Sequence, residues 1–318
     1  MTAPPRSPAE PAKAAPESAP QQPSRGSRAS APRLRVTRRS LMWTVAIPPV
    51  ALLLAFFALP LAYLLFISVM SNSGTDLYAW PMTLANYTAV LADPFYLGII
   101  ERTLLITVLV LALCLLLGYP VALYLVRMPV KRRVMAMLVL MFPMMVSNVV
   151  RAYGWVSILS RNGVLSSTLQ HVGLLDYPKQ YLYSVGALTV GLMTILLPFM
   201  IISITNSLAA IDRRYYEAAE SLGASPLRVF REVTFPLSTP GVTSGLLLVT
   251  FLALSAYVSI SLLGGARYKL LVSMVFDAAS TAQWPKAAAL SFVLLVVALL
   301  MARIIQLLLR PQRVQGRA

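Results

Sequence analysis

Six stretches of this chain contain no Asp, Glu, Lys, Arg or His: residues 40–75, 103–126, 134–150, 180–211, 233–266 and 287–302. A membrane-spanning helix needs about 20 mostly apolar residues. The stretches therefore predict an all-α membrane protein with six transmembrane helices. The expected spans are 43–70, 103–126, 134–158, 183–207, 241–263 and 288–309. Composition agrees: 58% of the 318 residues are hydrophobic and 12% charged, against about 25% charged in ordinary soluble domains.

The formal net charge of +16 raises nucleic-acid binding, and the distribution of charge excludes it. Eight basic residues lie in 1–39, four in 127–133, four at Arg213, Arg214, Arg228 and Arg231, and four at Arg303, Arg310, Arg313 and Arg317. If the spans alternate, these 20 of 27 cations share one side. An excess of Lys and Arg marks the cytoplasmic side. Both termini are expected there, which requires an even number of spans. The charge follows topology and forms no single face. Cys114 is the only cysteine and forms no intramolecular disulfide. His171 is the only histidine and has no metal-ligand companions, so no metal site is expected.

Residues 1–39 are rich in Pro, Ala, Ser and Arg. Such a segment buries too little apolar surface to offset its ordering entropy, so a disordered basic cytoplasmic arm is expected. Residues 40–310 form the six-helix domain and 311–318 a cytoplasmic tail. Arg38-Arg39 resembles a twin-arginine signal, but the apolar run that follows is too long for a cleaved signal and five more spans come after it. Pro48, Pro49, Pro60, Pro120, Pro143 and Pro198 fall inside spans, where neighbouring groups re-satisfy the freed carbonyls.

Between Ile211 and Val233 the chain leaves the membrane. Asp212 is placed to cap a short helix. Tyr215, Ala218, Ala219 and Leu222 recur at i, i+3, i+4 and i+7, giving one apolar face. Glu217 and Glu220 fall on the opposite, more exposed side. Gly223 supplies the positive φ that ends the helix. Ser225-Pro226 suits the cap and first position of a second helix, and Pro236 and Pro240 are expected to turn the chain into the next span. The result is a helix–Gly–helix elbow whose apolar stripe suits a docking surface.

The order Glu217-Ala218-Ala219, three residues, Gly223, nine residues, Val233-x-Phe235-Pro236 resembles the EAA loop of binding-protein-dependent ABC importer permeases. Val233 and Phe235 replace the more usual Ile and Leu. The flanks match as well: Thr83–Tyr87, Leu117-Gly118-Tyr119-Pro120, Val150–Trp155 with Arg161-Asn162-Gly163, Leu197-Pro198-Phe199 and Leu263-Gly264-Gly265. Together they are similar to the first permease subunit of spermidine/putrescine-type importers over about 41–310. Ile260 departs from a proline frequent in relatives.

The resemblance implies the type I ABC importer permease fold, in a bacterial plasma (inner) membrane, with a coupling helix in 212–236. It implies as partners two copies of an ABC ATPase, a second homologous permease and an external solute-binding protein, besides membrane lipid. Glu217, Ala218, Ala219, Gly223, Ser225, Pro226 and Pro236 would couple to the ATPase. The chain has no GxxxxGK[ST] loop, so it is expected to be non-catalytic and to bind no cofactor itself. ATP and Mg belong to the partner. A polyamine is the expected cargo, with phosphonate, opine, thiamine or ferric ion as alternatives. Arg151, Tyr153, Trp155, Tyr257, Asp277 and Trp284 are the candidate path residues, because a polycation needs carboxylates and aromatic faces and an ionisable group at membrane depth marks function. A secondary transporter would need ion-coupling residues or an internal repeat, and the sequence has neither.

Overall fold

A computed structural model describes residues 38–73 and 76–309 of the chain. The tail 311–318 and the basic arm lie outside the described residues, except that residues 38 and 39 open the first helix. The chain divides into two compact units, 1–56 and 57–318. Helix α1 (Arg38–Ser68) carries the first apolar stretch.

A short antiparallel pair, β1 (Met70–Ser71) and β2 (Ala79–Met82), follows α1 and leads to α2 (Ala85–Ala92). Asn86 ties this connection together. Its Nδ2 donates to the carbonyls of Ser68 (3.1 Å) and Met70 (2.7 Å). Helix α3 (Pro94–Arg127) begins earlier than the charge-free stretch suggested, because Asp93 caps it and Pro94 occupies its first turn. Asp93 Oδ1 accepts from the Phe95 N–H at 2.8 Å.

The expected span 134–158 is not one straight helix. Helix α4 (Val130–Met141) passes into a 3-10 turn at Phe142–Met145, and α5 (Asn148–Leu159) leaves at 86°. Pro143 withholds one helical N–H, and Ser147 starts a new helix by accepting from the Val149 N–H at 3.3 Å. Helix α6 (Val164–His171) completes this limb.

Helix α7 (Val185–Ala209) is apolar on all sides and contributes buried residues along its whole length, from Ala187 to Leu208, as a central core helix should. It packs between α3 and the long helix that follows the elbow. A Cβ on Gly241 would lie 2.8 Å from the Ser203 carbonyl oxygen, so only glycine permits that approach. Ser203 Oγ bonds the Gly241 carbonyl (3.1 Å) and Ser244 Oγ (2.8 Å) across the same contact.

After the elbow helix α8 (Arg213–Ser221) come α9 (Pro226–Val229), a π turn at Phe230–Thr234 and α10 (Phe235–Leu254). Residues 226–254 form one helical span. The expected turn at Pro236 and Pro240 is therefore absent. The widened π turn directly before Pro236 accommodates its ring and missing N–H without redirecting the chain. The expected span 241–263 instead breaks after Leu254, and α11 (Tyr257–Gly264) is separate. Helices α12 (Leu271–Ser280) and α13 (Trp284–Leu308) pack with α2 and the start of α3 around Val90, Ile99 and Leu290. Among the described residues, five helices are long and apolar enough to cross a membrane, or six if the bent α4–α6 limb counts as one span.

Candidate functional site: an elbow and two cavities

Helix α8 is stopped by its own backbone. Asp212 Oδ1 accepts from the Arg214 N–H at 3.0 Å at one end. At the other, the Gly223 N–H reaches the Glu220 carbonyl (2.9 Å) and the Ala224 N–H reaches the Ala219 carbonyl (3.1 Å). This paired closure requires a left-handed residue, and Gly223 has φ 73°. Ser225 stands at the start of α9 without a side-chain capping bond, and Pro226 takes the first turn. Tyr215, Ala218 and Leu222 are exposed, Leu222 at 86%. Nothing in the described chain covers that stripe. Glu217 pairs with Arg213 at 3.1 Å in the open.

Aromatic packing ties the elbow to the bundle. Phe230 stands edge-on to Tyr119 of α3, with centroids 5.7 Å apart, and Phe235 lies 6.0 Å from the same ring. The Tyr119 hydroxyl bonds Ser238 Oγ at 2.7 Å. Between elbow and bundle lies a cavity of about 690 Å³. Arg213, Tyr216 and Glu220 of α8 face Arg127 and Arg133 of the α3–α4 corner across it. Glu220 is exposed on the side opposite the stripe, as expected, and its flank also borders this cavity.

A second cavity of about 430 Å³ sits mid-bundle among α5, α7, the α10–α11 break and α12. Arg151 and Asn148 line it from α5 and Tyr257 from α11, stacked face to face on Phe276 at 3.7 Å. One guanidinium nitrogen of Arg151 donates to Asn148 Oδ1, while Nε and Nη1 are buried without a hydrogen-bond partner. No carboxylate is among the lining residues.

Of the six path candidates, Arg151 and Tyr257 therefore meet in one cavity. Trp155 instead bonds Thr194 Oγ1 through Nε1 at 2.9 Å. Asp277 pairs with Lys269 at 2.5 Å. Tyr153 is exposed, and Trp284 is an exposed residue at the start of α13. Sequence reasoning missed Asn148, Phe276, Ser255 and Ser259, which also line the cavity. Only Asn148, three residues before Arg151 on one helix face, carried a signal that could have found it.

Residues 114–314 match the family model for the binding-protein-dependent transport system inner membrane component. The chain is similar to the spermidine/putrescine transport system permease protein PotB of Escherichia coli, with 33% identity covering 77% of this chain and 89% of the relative. It is similar to the protein of that name from Haemophilus influenzae at 32% identity, covering 83% and 92%. The inner membrane ABC transporter permease protein YdcU of Escherichia coli matches at 31%, covering 70% and 74%. Among solved structures, a chain of a bacterial alginate ABC transporter, crystallised in complex with alginate pentasaccharide-bound periplasmic protein, superposes with TM-score 0.70 at 20% identity, over 87% of this chain and 97% of that one. At that identity the likeness concerns the fold.

Proposed function

The chain belongs to the family of binding-protein-dependent transport system inner membrane components, and on that premise we propose that it lines one half of the pore of a spermidine- or putrescine-importing ABC transporter. It is a multi-pass inner-membrane permease subunit of an ABC importer. The cargo reading is carried by one observation: the similarity to two proteins named for spermidine and putrescine transport runs over about nine-tenths of their length, 89% and 92%.

In this reading both termini and the elbow are cytoplasmic, and an external binding protein delivers cargo on the opposite side. Two copies of an ABC ATPase bind ATP and Mg, and a second homologous permease completes the pore. The exposed stripe of Tyr215, Ala218 and Leu222 seats in the ATPase, with Glu217 supplying a polar contact from the other flank of α8. Ala218 and Ala219 allow close approach, and Gly223 fixes where α8 ends. Ser225, Pro226 and Pro236 belong to the rigid stalk, continuous with α10. Closure of the ATPases moves the elbow, and the Tyr119–Phe230–Phe235 cluster passes that movement to α3. The cavity around Tyr257 and Phe276 gives a polycation aromatic faces but no counter-charge. Cargo therefore passes without dwelling, and selectivity lies with the binding protein.

Proteoliposomes holding this chain with its partner permease and ATPase should take up spermidine when ATP and loaded binding protein are supplied. Uptake of another solute under the same conditions, with spermidine ignored, would overturn the cargo assignment and leave the importer assignment standing. Arg151 favours one second reading. A guanidinium with two unpartnered nitrogens in a cavity lacking carboxylates suits an anionic solute such as a phosphonate or an opine.

A further inference from the structure

We propose that the cavity behind the elbow binds the phosphodiester headgroup of an anionic phospholipid. The proposal rests on the cytoplasmic placement of the elbow given above. Three guanidinium side chains line this space, Arg127, Arg133 and Arg213, against one carboxylate, Glu220. The ion pairs among the described residues are Arg213–Glu217 and Lys269–Asp277, so Arg127 and Arg133 have no carboxylate partner there. Arg133 is half-buried. The remaining wall is apolar, with Leu123, Val126, Leu208 and Phe230.

Depth selects the ligand. Arg127 is the last residue of α3, and Leu208 and Ala209 end α7, so the charged part lies where two spans leave the hydrocarbon. A basic pocket between spanning helices on the cytoplasmic side is suited to anionic headgroups. An apolar wall continuous with the spans suits the attached acyl chains, which a soluble phosphate lacks. The helical wheel separates this site from the docking stripe. Arg213, Tyr216 and Glu220 recur at i, i+3 and i+7 on one face of α8, while Tyr215, Ala218 and Leu222 occupy the other. A bound lipid would therefore brace the elbow from behind while its outer face remains free for the ATPase.

The test uses the assembled transporter, delipidated in detergent and titrated with dioleoyl phosphatidylglycerol or dioleoyl phosphatidylcholine. Retained lipid is read by native mass spectrometry, which reports assembly in the same spectrum. Wild type should retain phosphatidylglycerol preferentially. Arg127→Gln/Arg133→Gln should lower that preference by roughly fivefold per arginine, the scale expected for one cation near an anionic headgroup. Arg228→Gln/Arg231→Gln removes equal charge from exposed positions outside the cavity and should leave the preference unchanged. Arg133→Lys, which keeps the charge, should retain it even if the double variant fails to assemble.

Equal retention of the two lipids, or an equal loss in both double variants, would overturn the site. Displacement of phosphatidylglycerol by millimolar inorganic phosphate would assign the cavity to soluble phosphate. Retention by the permease pair alone, with none by the assembled transporter that includes the ATPase, would assign the cavity to the ATPase. Either result rejects the lipid. Labelling of Ser221→Cys from outside intact cells would reject the orientation while leaving the binding measurement intact.

Discussion

The elbow and the mid-bundle cavity are held in place by different means. Asp212, the Gly223 closure and Pro226 fix α8 within about fifteen residues of chain, through one side-chain cap and local backbone bonds. The cavity around Arg151 exists only because α5 leaves α4 at 86°, α10 breaks after Leu254 and α12 brings Phe276 onto Tyr257. One site is a local structure offered outward. The other is a tertiary product whose shape changes whenever the helices shift. A transporter needs both properties: a rigid handle, and a cavity that opens and closes.

The comparison yields tests in which the two sites respond differently. The largest effect is expected from Glu217→Lys. Reversing a charge that contacts the partner disrupts polar contact on the scale of about 2 kcal/mol or more, so ATP-driven uptake should fall at least tenfold in proteoliposomes. The fold should stay intact, because the Arg213–Glu217 pair is exposed and contributes little. Gly223→Val should follow. A β-branched residue at φ 73° is strained by about 1–2 kcal/mol, which should reduce co-purification of the ATPase, whereas Gly223→Asn should largely preserve it. Unchanged co-purification in Gly223→Val would remove the rigid-handle argument.

Arg151→Gln probes the other site. It should alter uptake while leaving ATPase co-purification at the wild-type level, and it should not lower thermal stability, since it removes a charge with two unsatisfied nitrogens. Loss of ATPase binding in this variant would show the two sites to be one unit. Trp155→Phe is the smallest change. It deletes the bond to Thr194, and interhelical bonds of this kind average about 0.6 kcal/mol in a membrane protein. A melting temperature lowered by no more than a few degrees should be its only signature.

The same contrast explains what could be read from the sequence. The existence of the spans, though not their ends, follows from charge-free length, and the extent of α8 follows from capping chemistry. Both depend on neighbours along the chain. The π turn at Phe230–Thr234 escaped notice because Pro236 reads equally well as a turn former and as a helix residue behind a widened turn. The bend after Pro143 was hidden inside an unbroken apolar run, where hydropathy is blind to direction. Periodicity places Glu220 on the exposed side, where it lies, but the cavity that its flank borders is made by the distant ends of α3, α4 and α7 and leaves no local signal. Asp277 pairs with Lys269, eight residues away and outside α12, a contact no periodicity foretells. Phe276, its immediate neighbour, stacks on Tyr257.

The central claim is that a partner ATPase drives this permease through α8. The most direct measurement is the ATPase rate of the reconstituted transporter with and without spermidine-loaded binding protein, in wild type and in Glu217→Lys of equal assembly. Stimulation in wild type and its loss in the variant is the predicted result. Equal stimulation of both would contradict the claim.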